Sequence, residues 1–322
     1  MAISFNETRD QISSDALQLL GYLAAGETAS ANDLTFCANA VNKMIKAWMA
    51  QGIHLFTEEE GIIYPVVGQA AYVLTATGGA NGSNAADSAA STTLTTAATG
   101  TTIVVTSAAN MSVSDNIGIQ MDATATAASA IFWTTITVIS GTTITLNAGL
   151  TSKASIGNAV FAYTNSLTRP LSIQSARYRD ANTFDRWVKV VPRDDYMRIP
   201  QKNLTGQPII LYYSAQTTTG VVYMWPTPSL ANGQMMVTYL REINDVDNAS
   251  DNFDFPQEWL ECLTYNLAVR IAPAYGISLA SGGMGGNSNL LTQAAQYLEE
   301  LKAWDTSQPY IQFVPGWDYR DY

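Results

Sequence analysis

The chain has 322 residues, of which 47% are hydrophobic and only 13% charged, with a formal net charge of -11. That acid surplus excludes a general DNA binder, which needs a basic surface against phosphates, but it suits the wall of a channel through which DNA slides. Two cysteines, Cys37 and Cys262, exclude a disulfide scaffold, and no apolar run reaches the roughly 18 residues of a membrane span.

The first residues, Met1 to Glu7, do not read as a signal peptide, so folding in the cytosol is expected. Residues 8–25 are expected to form a helix. Thr8 and Gln11 make a capping-box pattern, Ile12, Ala16, Leu19, Leu20 and Leu23 repeat at helical spacing, and Gly26 ends it. A second helix starts at Ser30, with Asp33 three residues on. Its stripe is Leu34, Cys37, Ala38, Val41, Ile45 and Trp48, and Gly52 terminates it. The short link between the two favours an antiparallel hairpin. Both cysteines fall on or beside apolar helix faces and are expected as buried thiols.

Strand-like text runs from Gly61 to about Thr75, and then the composition changes. Between Gly78 and Thr168 the charged residues are Asp87, Asp115, Asp122 and Lys153 alone. Residues 78–99 lack a strong pattern and are expected as a loop. Thr101–Thr106, Ile117–Met121, Phe132–Val138, Thr142–Leu146 and Ala159–Tyr163 are short strands, with Ser140-Gly141 as the clearest hairpin turn. From Arg169 to Arg241 the β-text continues with charge restored. Ile209–Tyr213 and Gly220–Pro226 read as paired strands, and Met235–Leu240 as another.

The next helix has its start and stop written out. Asp254 can cap it, Pro256 fits the first turn, Gly276 follows the end, and Trp259, Leu260, Leu263, Leu267 and Ile271 form one stripe. A Gly-rich link, Gly282–Gly286, leads to a last helix carrying Leu291, Ala294, Leu298 and Leu301. The end, Pro309 to Tyr322, is aromatic and reads as extended.

The helices at the two ends must pack together, because neither pair buries its stripe alone. The fold class expected is α+β. A helical bundle formed by the N- and C-terminal helices packs beside a small β-sheet, with an inserted all-β sandwich or barrel module. Residues 1–77 and 169–322 make a discontinuous core domain, 78–168 the insert, and 306–322 an extended C-terminal arm.

The order of these parts resembles the head-to-tail adaptor family of short-tailed phages, called tail accessory factor or tail tubular protein A. The resemblance is carried by the Pro256-Gln257-Glu258-Trp259 helix, by Leu20–Thr28 before a helix with Trp48 near its end, by Arg169–Asp180, and by Gly206-Gln207-Pro208 followed by Tyr212-Tyr213 and Val222–Pro226. It covers the chain except the insert. It implies a structural virion protein of the neck and tail, assembled in the host cytoplasm. A ring of twelve subunits would dock beneath the portal protein, hold the tail nozzle protein and extend the DNA channel after packaging. DNA would pass without specific binding. The insert could meet a tail fibre or capsid protein.

Signals for an enzyme are sparse, and none is expected; no cofactor or metal is implied. His54 is the sole histidine and reads as structural beside Leu55 and Phe56. Asn244–Asp251 hints at a calcium loop but lacks the required Gly and a Glu at the right distance; an acidic loop before a helix is the plainer meaning. Glu58-Glu59-Glu60 and Asp194-Asp195 offer carboxylates for a peptidoglycan hydrolase, without a cleft to place them. Phe132, Trp133 and Tyr163 of the insert could stack on sugars in a carbohydrate-binding tail component, or fill the module's core.

Two contact features stand out. Arg169, Arg177, Arg179, Arg186, Lys189, Arg193, Arg198 and Lys202 make up half of the chain's 16 basic residues. They form either a solvated sheet face or a belt for an acidic neighbour, with Arg177, Arg179, Arg186 and Lys189 as its centre. In the tail, Ile311, Phe313, Pro315, Trp317 and Tyr319 alternate with other residues. The segment either folds back on its own domain or docks as an arm on an adjacent subunit or the portal.

Overall fold

A computed structural model of the chain describes residues 7–24, 26–51, 58–75, 85–124, 129–230, 233–243, 245–253, 256–279 and 288–304. His54, Asp254, Asn244, the Gly282–Gly286 link and the arm with Ile311, Phe313, Pro315, Trp317 and Tyr319 lie outside the described residues. In chain order the elements begin with α1 (Arg9–Leu19), α2 (Ala31–Ala50), β1 (Glu58–Ile63), β2 (Ala71–Leu74), β3 (Ala85–Ala86) and β4 (Ala90–Thr93). Then come β5 (Thr102–Val104), β6 (Asn116–Gln120), β7 (Ile131–Ser140), β8 (Thr143–Leu146), β9 (Ala159–Tyr163), β10 (Ser172–Arg179) and β11 (Asp185–Val190). The last are α3 (Arg193–Met197), β12 (Thr205–Gly206), β13 (Ile210–Ala215), β14 (Gly220–Trp225), β15 (Thr227–Pro228), β16 (Gln234–Leu240), α4 (Leu260–Ile271) and α5 (Ser288–Trp304). The architecture is mixed α+β. Contacts divide it into two compact units, Met1–Phe56 with Ile243–Tyr322, and Thr57–Glu242.

The first unit is built from the terminal helices. Gln11 Oε1 accepts the Thr8 N–H at 2.8 Å, one arm of the capping box at the start of α1. The helix stops at Leu19, earlier than Gly26, because Gly21 takes φ +73°. Tyr22 N–H then reaches Leu17 O at 3.1 Å and Gly21 N–H reaches Gln18 O at 2.9 Å, a Schellman termination. Leu20 and Leu23 are buried beyond that stop, which is why helical spacing overruns it. In α2 the Ser30 hydroxyl accepts the Asp33 N–H at 3.2 Å, and Cys37, Val41, Ile45 and Trp48 are buried as expected, joined by Met44 and Met49.

A 3₁₀ turn, Gln257–Trp259, precedes α4, and a second, Ala272–Tyr275, follows it where Pro273 supplies no N–H. Gly276 at φ +71° ends the run. Trp259, Leu260, Leu263, Leu267 and Ile271 are all buried, and α4 touches α1, α2 and α5. Trp48 and Trp259 meet with ring centroids 6.0 Å apart. In α5 the inner face is set by Leu290 and Ala294. Leu291, expected inside, is 49% exposed, because its neighbour Leu290 lies nearer the centre of the buried stripe. Cys37 and Cys262 are free and buried, and burial pushes their thiols up to about 11 and about 12.

The second unit holds a sheet larger than the small one expected. Eight strands run in the order β2-β14-β13-β11-β10-β16-β1-β3. The reason is β16, which pairs antiparallel with both β10 and β1 and so ties distant segments together. Ile63, Leu74, Val188, Leu211, Val222 and Val237 fill one face. β11 and β13 pair in parallel, and their crossover carries α3. Tyr196 of α3 stacks on Tyr212 at 5.4 Å on the opposite face.

A second sheet, of six strands, runs in the order β4-β9-β6-β7-β8-β5. The Leu94–Val105 bridge joins its two edges, supported by Thr95 N–H to Val104 O and Thr106 N–H to Thr93 O, both 2.9 Å. The module is thus barrel-like rather than a sandwich. Closure draws in β4, and β3 pairs with β1, so residues 85–99 are not the expected loop. Gly141 at φ +61° makes the two-residue turn between β7 and β8.

Candidate functional site

The strands β10 and β11 bring Arg177, Arg179 and Lys189 onto one face, while Arg186, paired across from inward Tyr178, falls on the other. Strand alternation sends Ala176, Tyr178 and Val188 inward, and Arg177, Arg179, Trp187 and Lys189 outward. Arg177 Nη1 lies 2.6 Å from Glu60 Oε1, and its Nε lies 3.2 Å from Asp185 Oδ2. Arg179 forks onto the same Asp185, with Nε at 2.7 Å and Nη2 at 2.8 Å. The Arg179 bond holds the Asp185 carboxyl below the usual aspartate range, and Asp185 raises the guanidinium in turn. Two of the four predicted contact residues are therefore engaged within the chain. Arg186 and Lys189 are exposed, and among the described residues no carboxylate pairs with them.

The rest of the basic belt divides. Arg169 pairs with Glu242 and donates to Gln216 O at 3.1 Å. Lys202 donates to the carbonyls of Tyr196, Met197 and Ile199, which satisfies the end of α3. Arg193, at the start of α3, and Arg198, just past its end, are exposed.

Of the carboxylates weighed as hydrolytic groups, Glu59 and Glu60 lie in structural contacts, and Glu58 is exposed. Glu59 accepts from Arg241 Nε at 2.7 Å and from the Tyr239 hydroxyl at 3.1 Å, while Glu60 takes Arg177. Asp194 and Asp195 sit in the first turn of α3. In the acidic loop, Asp251 accepts the N–H groups of Asp247 at 3.1 Å and Asn248 at 2.7 Å, which lowers its carboxyl. Lys46 pairs with Asp245 at 2.9 Å.

The insert's aromatics are packed together. Tyr64, next to β1, lies 4.9 Å from Trp133 and 4.9 Å from Phe161, and Trp133 lies 5.4 Å from Tyr163. Tyr64 and Tyr163 are buried, Trp133 and Phe132 half-buried, and the cluster joins the six-stranded sheet to the eight-stranded one. These rings fill internal space and do not form an open stacking platform.

Two features went unpredicted. Trp187 is 74% exposed, between Arg186 and Lys189, and Phe184 just before it is 71% exposed. Its signal lay in Arg186-Trp187-Val188-Lys189, where one apolar residue faces the core and a tryptophan takes the opposite side. The other is a pocket of about 350 Å³ between α4 and α5, lined by Glu258, Glu261, Cys262, Tyr297, Glu300 and Leu301. Among the described residues no Lys or Arg pairs with Glu258, Glu261 or Glu300. The charge of Glu261 raises the Tyr297 hydroxyl.

Comparison with known proteins defines the class as a phage structural protein of the adaptor type. The family model described as SU10 adaptor protein matches residues 109–310, and the chain belongs to that family. The match takes in most of the insert, which the sequence resemblance left out, and stops short of the N-terminal helices, which that resemblance used. No curated protein matches. Among solved structures, the Gp54 tailspike of Acinetobacter baumannii bacteriophage AP22, in complex with a capsular saccharide, aligns at TM-score 0.21 and 13% identity. That alignment covers 23% of this chain and spans 14% of the tailspike. VP17, a capsid protein of bacteriophage P23-77, aligns at TM-score 0.11 and 13% identity over 61% of this chain and 77% of its own. Both scores lie far below those of a shared fold. No helix among the described residues is long and apolar enough to cross a membrane.

Proposed function

We propose that the chain is the subunit of a head-to-tail adaptor ring, of the tail tubular protein A type, that joins the portal to the tail nozzle of a short-tailed phage. Membership of the SU10 adaptor family is the observation that carries this reading. On it the protein is a virion component that touches other virion proteins, assembles in the host cytoplasm and forms a dodecamer. The terminal helices, with α4 touching α1, α2 and α5, supply the bundle at the ring's core. Residues 78–168 are the insert, free to meet fibre or capsid protein, and residues 306–322 are the arm. The role is mechanical rather than enzymatic, a view supported by the engagement of Glu59 and Glu60 with arginines. A net charge of -11 keeps the channel from gripping DNA during ejection.

Co-sedimentation of the full chain with its portal tests the proposal. A stoichiometric complex of twelve chains per portal is expected. A chain that sediments alone at every concentration overturns it.

A further inference from the structure

The face around Trp187 has the features of a docking knob. A tryptophan 74% exposed is a large apolar cost in water, and such side chains are the common anchors of protein interfaces. The strand that carries it is also open on one side. β13 begins to pair with β11 only at Lys189, so among the described residues Asp185–Val188 has no ladder partner opposite β10. The surroundings are basic in an acidic chain: residues 169–202 hold eight Lys and Arg against four Asp, a local net charge of +4 where the whole carries -11.

The matching surface lies on the same polypeptide, in the other unit. The α4–α5 pocket has an apolar floor from Cys262, Tyr297 and Leu301 and an acidic rim from Glu258, Glu261 and Glu300. Its volume of about 350 Å³ accommodates an indole. We infer that Trp187 of one copy seats in the α4–α5 pocket of a second copy, with Lys189, on the same strand face, reaching the glutamates on the rim. Knob and pocket are different patches, so the contact is heterologous and propagates from copy to copy until a ring closes. The inference rests on the ring reading and names the surfaces that build it. Cation–carboxylate pairs on the rim set register and on-rate, and the indole sets the lifetime of the contact.

Self-association of the full chain, followed by sedimentation velocity across concentrations, provides the test. Trp187→Ala should weaken association about thirtyfold or more, the effect of removing a hot-spot anchor. Glu261→Lys with Glu300→Lys should weaken it comparably, and adding Lys189→Glu to that variant should recover part of the loss, whereas adding Arg186→Glu, on the other strand face, should not. Trp187 is exposed, so its alanine variant keeps the wild-type melting curve. Mixing Trp187→Ala with the Glu261→Lys/Glu300→Lys variant leaves one intact knob and one intact pocket per pair, so dimers and nothing larger are expected. A Trp187→Ala chain that assembles like wild type, or a mixture that stays monomeric, overturns the inference and leaves the ring reading standing. A wild-type chain that stays monomeric at all concentrations overturns this inference alone, because the ring reading is judged by assembly on the portal.

Discussion

Gly118 in β6 tests how tightly the six-stranded module is joined to the larger sheet. A Cβ placed there would sit 2.7 Å from the Trp133 ring and 2.8 Å from Ile131 Cγ2, closer than real Cβ contacts come. Trp133 has little room to retreat, because its ring lies against Tyr64 and Tyr163. In an open strand, Gly→Ala would stabilise by about 0.5–1 kcal/mol through chain entropy. Overpacking costs about 1–3 kcal/mol, so Gly118→Ala should destabilise by up to about 2.5 kcal/mol net. Gly141→Ala is the control. Nothing lies within 4 Å of its Cβ, yet φ is +61°, so its cost of about 1–2 kcal/mol comes from the backbone alone. Urea unfolding read by circular dichroism measures both, and Trp133→Leu should rescue Gly118→Ala but not Gly141→Ala. A Gly118→Ala chain more stable than wild type would refute the packing described here.

Three further outcomes are expected. Trp259→Ala, at a site 1% exposed against Trp48, should cost about 3–5 kcal/mol of the stability of the helical unit, read by the loss of its cooperative melt. Cys37 and Cys262, with thiols pushed up to about 11 and about 12, should resist iodoacetamide at pH 8 in the native chain and both react in denaturant, as counted by mass spectrometry. Asp185 has a lowered carboxyl, so its pairing contributes above the ordinary aspartate value of about 4 and is lost as pH falls through the lowered one. Melting temperatures of wild type and Asp185→Asn should therefore differ at pH 7 and converge in strong acid; a constant difference would contradict the pairing.

Local features of this chain were legible in its sequence, and distant pairings were not. The β7–β8 hairpin follows from alternation and Gly141, and the α4 stripe from Trp259 to Ile271 follows from spacing. The end of α1 was hidden because buried Leu20 and Leu23 continue the pattern past a Gly21 that the chain needs at φ +73°. The strands in 85–99 have too little apolar alternation to show themselves; β9, β1 and the Leu94–Val105 bridge supply the pairing. The seat of β16 between β10 and β1 joins segments over a hundred residues apart, which no local period encodes. At the candidate surface, the cluster of basic residues was visible from composition. The internal use of Arg177 and Arg179 was not, because it depends on Glu60 arriving from β1 and Asp185 from across the hairpin. Trp187 was passed over because an aromatic in a strand is more often turned inward.

The most direct measurement is electron-microscopic imaging of the purified chain mixed with its portal protein. The account predicts a closed ring of twelve subunits coaxial with the portal, its central channel continuous with the portal's own. Isolated monomers beside unoccupied portals would contradict it.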